Sequence, residues 1–170
     1  MTKDELFERV QEYLKSEEIG FEADSKACIC SVGLDGEKAN VSCKLVCADE
    51  PLLIHAFATI PIRVPQEANS RVALGLHDMN TYCKLGGFVL DREEHRVFFK
   101  TSLPLEGVVE VSEAIRVVMG VSLHTMDQAA HDVMKLIFDA SQGDATEDCP
   151  LPARGTSPLQ APDGQRPGFN

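Results

Sequence analysis

Cys28-Ile-Cys-Ser-Val-Gly-Leu-Asp-Gly-Glu-Lys-Ala-Asn-Val-Ser-Cys-Lys-Leu-Val-Cys47 is the stretch that decides the fold. Asp35-Gly36 is a strong two-residue turn signal, because a type I′ turn needs positive φ at both central positions. With those two residues as the loop, Leu34 faces Glu37, Val32 faces Ala39, Cys30 faces Val41 and Cys28 faces Cys43. Alternation then puts Cys28, Cys30, Val32, Ala39, Val41, Cys43, Leu45 and Cys47 on one face. Ser31, Lys38, Asn40, Ser42 and Lys44 fall on the other. A slip of one residue would invert both sets, so the agreement of the two strands predicts a hairpin with one buried side.

Working outward, Thr2 and Glu5 form a Thr-x-x-Glu capping box ahead of Leu6, Val10, Tyr13 and Leu14 at helical spacing, and Gly20 is placed to cap the end. After the hairpin, Asp49-Glu50-Pro51 turns the chain into a strand over Leu52 to Thr59. Pro65 opens a second helix with Ala68, Val72, Leu76 and Met79 on one face, ending near Asn80. A second hairpin pairs Leu85 to Asp91 with His95 to Thr101 through the charged turn Arg92-Glu93-Glu94. A long helix from Val111 to Ala140 closes the body, weakened in the middle by Gly120 and Ser122. Hairpins with segregated helices make the class α+β. The expected architecture is an antiparallel sheet of about five strands with helices packed on it, in the order α-β-β-β-α-β-β-α.

The chain has 170 residues, 44% hydrophobic and 25% charged, which suits one globular domain. Residues 1–140 are read as that domain. Residues 141–170 hold five of the nine prolines and few large apolar side chains, so they are read as a disordered Pro/Gly-rich tail. Asp plus Glu number 27 against 16 Lys plus Arg, a net charge of −11. Such a field repels nucleic acid and anionic membrane and favours basic partners. The N-terminus lacks a basic stretch followed by an apolar run, and no segment is long and apolar enough to span a bilayer, so a cytoplasmic location is expected. The six cysteines are then expected as thiols.

No catalytic, cofactor-binding or metal-binding residue is assigned. Cys28, Cys30, Cys43 and Cys47 lie on the apolar face, where cysteine behaves as a small hydrophobe. Strand residues two apart are separated by about 6.8 Å, whereas tetrahedral zinc needs sulfurs about 3.7 Å apart. The alternative is a metal- or thiol-dependent protein built on these four. His55, His77, His124 and His131 have no nucleophile in a recognisable frame, and no glycine loop precedes a helix as a phosphate cradle. One feature stands out. From Ile115 to Met126 the last helix is apolar nearly all round, and the run Val97-Phe98-Phe99 is apolar on both faces of its strand. Phe98, Phe99, Val117, Val121 and Leu123 are therefore the candidate partner-contact residues.

The stretch Pro65 to Leu105 resembles the YbjN family, bacterial domains with the type III secretion chaperone-like fold. The resembling residues are Leu76, Asn80, Gly87-Phe88-Val89-Leu90-Asp91, Val97-Phe98-Phe99-Lys100 and Leu103-Pro104-Leu105. The resemblance implies a small acidic cytosolic homodimer, chaperone-like or regulatory, that binds another polypeptide. It supplies no catalytic residue and no cofactor. The sequence reading is thus a non-enzymatic protein-binding module.

Overall fold

The structure is a computed structural model and describes residues 1–107 and 110–142. Its elements are α1 (Lys3–Ser16), β1 (Phe21–Asp24), β2 (Ile29–Asp35), β3 (Asn40–Ala48), β4 (Leu53–Thr59), α2 (Asn69–Asn80), β5 (Gly87–Asp91), β6 (Arg96–Pro104) and α3 (Val111–Gln142). A short 3-10 turn, Gln66–Ala68, leads into α2. The class is α+β. The strands form one open antiparallel sheet in the order β1-β2-β3-β4-β6-β5.

Six strands replace the expected five. The addition, β1, is four residues long, mostly exposed, and pairs along the edge of β2 from Phe21 opposite Val32 to Asp24 opposite Ile29. It follows from how α1 ends. The Thr2–Glu5 box starts that helix as expected, but Glu18, not Gly20, takes the left-handed turn at φ 57. Ile19 N–H then donates to Leu14 carbonyl at 2.9 Å and Glu18 N–H to Lys15 carbonyl at 3.1 Å, a Schellman closure. The chain leaves the helix two residues early and uses Phe21 to Asp24 as strand.

The β2–β3 register also corrects the expected one. Val32 lies opposite Cys43, Cys30 opposite Leu45, and Asp35 opposite Asn40. Each partner has moved by four residues, so the buried face is the same and the loop is longer. Gly36 to Ala39 form it, closed by Gly36 N–H to Ala39 carbonyl at 3.0 Å. The carboxylate of Asp127, from α3, accepts the N–H groups of Glu37, Lys38 and Ala39 at 3.2, 2.9 and 3.1 Å. A side chain at Gly36 would collide with that carboxylate. The distant helix, not the local Asp-Gly preference, sets the turn.

All three helices pack on one side of the sheet. Leu6, Val10 and Leu14 of α1 and Ile115 and Val118 of α3 bury Cys30, Cys43 and Cys47 of the strands, Cys28 in the turn just before β2, Leu45 and Ile54. Val72 and Leu76 of α2 and Met126, Val133 and Ile137 of α3 bury Ala58, Phe88, Val97 and Phe99. At about 1.5 Å per residue, α3 is long enough to cross both cores. Its midpoint is tied down by Ser122, fully buried, whose Oγ donates to Thr101 Oγ1 on β6 at 2.9 Å. The helix touches α1 in one half and α2 in the other, which explains why it is apolar so far round. It runs on to Gln142, two residues past the expected domain limit. The tail reading from residue 143 onward lies outside the described residues, as does Cys149.

Candidate functional site

The face of the sheet opposite the helices carries the site, and register builds it row by row. Lys44 of β3, Phe57 of β4, Lys100 of β6 and Gly87 of β5 lie in one cross-strand row. Val46, His55 and Ser102 form the row on one side, and Thr59, Phe98 and Val89 the row on the other. Strand spacing of about 4.8 Å puts neighbouring side chains in contact range. Phe57 meets the ring of Phe98 edge-on with centroids 6.3 Å apart. The Lys100 ammonium sits 5.4 Å from the centre of the Phe57 ring, within cation–π range.

The β5–β6 turn curls over this face and makes a groove of about 500 Å³, the size of a small ligand site. Val46, Phe57, Val89 and Phe98 supply its apolar lining, and Lys44 and Glu94 meet across it at 3.5 Å. Val89 is 46% exposed. The turn holds itself: Asp91 Oδ1 accepts Glu93 N–H at 2.8 Å and Glu94 N–H at 2.9 Å. Those two bonds hold the Asp91 carboxyl below its ordinary range, against its partial desolvation. The outer edge of β5 is sealed by α2. Asn80 Oδ1 accepts Phe88 N–H at 2.6 Å and Asn80 Nδ2 donates to Phe88 carbonyl at 3.0 Å, so one side chain mimics a neighbouring strand.

The candidate contact residues separate. Phe98 lines the groove from below. Phe99 points the other way into the core at 1% exposure, its ring 5.0 Å from that of Phe88, so it offers a partner nothing in this fold. Two apolar faces on β6 thus have two causes, a core on one side and the groove on the other. Val121 packs partly against the second core and Leu123 against both. Val117 is half-buried on the outer part of α3. The structure brings Phe98 alone of the five to the groove. Phe57, Val46, Val89 and Lys100 are missed by sequence reasoning, because each is a single residue on a different strand.

His55 Nδ1 lies 2.7 Å from Ser102 Oγ on the same face. Burial first, and the charge of Lys100 second, hold the His55 ring below its ordinary pKa. A serine and a neutral histidine are two parts of a nucleophilic unit; His55 sits mid-strand between β3 and β6, and Ser102 lies beyond the last residue of β6 that pairs with β5. His77, His124 and His131 are exposed on helices.

No protein-family model matches this chain, and no curated protein matches it.

The strand cysteines are free thiols in the first core. Burial pushes Cys30 up to about 11 and Cys43 and Cys47 up to about 12, and Cys28 is raised by burial and its bond to Asp4. Among the described residues no three His, Cys, Asp or Glu side chains are grouped as metal ligands. A thiol with a pKa near 12 is about 10⁴-fold short of thiolate at pH 8. Ellman's reagent at that pH should therefore label Cys83 in the folded chain and leave the four core thiols unreacted until denaturant is added. Native labelling of any of the four as fast as Cys83 would count against a purely structural role.

Proposed function

We propose that this chain is a non-enzymatic protein-binding module, chaperone-like or regulatory, that holds another polypeptide on the open face of its sheet. The carrying observation is the groove of Val46, Phe57, Val89 and Phe98, solvent-facing on the side the helices leave bare. Apolar surface held open by a rigid sheet marks an interaction site. The type III secretion chaperone-like fold and the YbjN resemblance give the same reading. The element order is the expected one with one strand, β1, added at the sheet edge. The proposed setting is the cytosol and the proposed assembly a homodimer. Among the described residues no helix is long and apolar enough to cross a membrane.

The test uses the full chain as bait, with crosslinking and mass spectrometry to map the contact. Crosslinked partner peptides should reach Lys44 and Lys100, and Val89→Asp should abolish capture while the fold survives, because Val89 is already nearly half exposed. Capture that is indifferent to Val89→Asp would remove the groove from the reading. Sedimentation separately checks the assembly, which should show twice the chain mass of 18.6 kDa.

A further inference from the structure

The whole chain is strongly acidic, yet its open face is not. Across β3, β4, β6 and β5 that face presents Lys44, Lys100 and Arg96 against the carboxylate of Asp91, and the β5–β6 turn adds Arg92, Glu93 and Glu94, so the cations outnumber the carboxylates by four to three. Asp91 is spent on its own turn, and Glu94 is matched by Lys44. Lys100 and Arg96 have no carboxylate partner among the described residues. Charges compete by distance. Fields from beyond a Debye length of about 8 Å are screened in physiological salt, so a bound segment feels these local cations more than the distant acids of α1.

We propose that the groove takes an extended acidic peptide segment whose carboxylates lie two positions to either side of an apolar residue, so that all three side chains share one face, not the basic partner that net charge alone favours. The inference rests on the protein-binding reading above and names its partner class. The chemistry of the rows supports it. Lys44 and Lys100 are two strands apart, about 9.6 Å, with Phe57 between them. An extended peptide repeats its side chains on one face every 6.8 Å or so, so carboxylates at i and i+4 flank an apolar residue at i+2 and lie about 13.6 Å apart, within reach of two flexible ammonium groups on either side of Phe57. Its acids pair with Lys100 and with Lys44, the latter released from Glu94. An apolar residue between them meets Phe57, Phe98 and Val89.

The experiment is fluorescence anisotropy with full-length protein and two labelled peptides: acetyl-Ser-Glu-Ser-Phe-Ser-Glu-Ser amide, and its mate with lysine at both acids. The acidic peptide should bind with a Kd of the order of 10–100 µM, and the basic one at least ten times more weakly. Lys100→Glu should weaken the acidic peptide at least tenfold, and Lys100→Gln less. Circular dichroism of both variants should be unchanged. Raising NaCl from 50 to 500 mM should weaken the acidic complex. Preference for the basic peptide, indifference to Lys100→Glu, or no binding of either at millimolar concentration would each overturn the inference. Loss of partner capture in Val89→Asp alongside a preference for the basic peptide would leave the protein-binding reading standing and remove the acidic partner.

Discussion

Replacing Phe99 by alanine should cost about 3–5 kcal/mol, most of the stability of an ordinary domain. With a urea slope of about 1–3 kcal/mol per molar, the unfolding midpoint should fall by roughly 2 M. Phe99 is 1% exposed and lies edge-on to Phe88. Its other flank is closed by backbone. Gly86 at φ +81 passes so near that a side chain there would meet the Lys100 carbonyl, the Thr101 hydroxyl and the Phe99 ring. Main chain cannot relax into the space a lost ring leaves, so a void remains and its full cost is felt. Phe98→Ala is the comparison. That ring is nearly as buried, at 7%, but it lines the groove, so its loss opens on to water instead of sealing a cavity. Its cost should be smaller, about 2 kcal/mol. Equal losses from the two variants would mean that the groove side is as closed as the core side.

The two phenylalanines show what the sequence could and could not tell. That Val97, Phe98 and Phe99 need cover on both sides followed from alternation alone. Which side is core and which is groove did not, because it depends on where three helices from distant parts of the chain come to rest. The first hairpin divides in the same way. Its buried face was legible because alternation has a period of two, and the four-residue shift in register leaves that period untouched. The shift itself was not legible, since Asp127 lies some 90 positions from the loop it grips. The β1 strand escaped because Phe21-Glu-Ala-Asp24 has almost no buried side. The sealing amide of Asn80 had no signal beyond its place at a helix end. The groove was the least legible part of all. Its lining comes from four strands, mostly one side chain at a time, and only the sheet order brings them into rows.

Asp127→Ala should lower the melting temperature by roughly 5 °C or more, although the side chain sits on a helix whose buried face is apolar but for Ser122. The carboxylate accepts three consecutive backbone N–H groups, and no other acceptor is placed to receive all three. The bond from Lys38 is the largest cause holding the Asp127 carboxyl below its ordinary pKa; partial desolvation opposes it, and the bonds from Ala39 and Glu37 and the charge of Lys38 add to it. The sign of the pH effect follows. A group whose pKa is lower in the folded state stabilises the fold above its ordinary value near 4, and that contribution is lost as pH falls through the folded value. The wild-type chain should lose it on acidification below about pH 4, and Asp127→Ala should lack that part of the acid dependence. The asparagine variant separates charge from geometry. Its single oxygen still faces Lys38 and Ala39, but its amide nitrogen meets the Glu37 N–H donor to donor. It should fall between wild type and alanine at pH 7 and likewise lose the acid-dependent part. If alanine melts with the wild type at pH 7, the grip of α3 on the loop is incidental. The two-residue turn written in Asp35-Gly36 would then be free to return, and with it the register in which Cys28 faces Cys43.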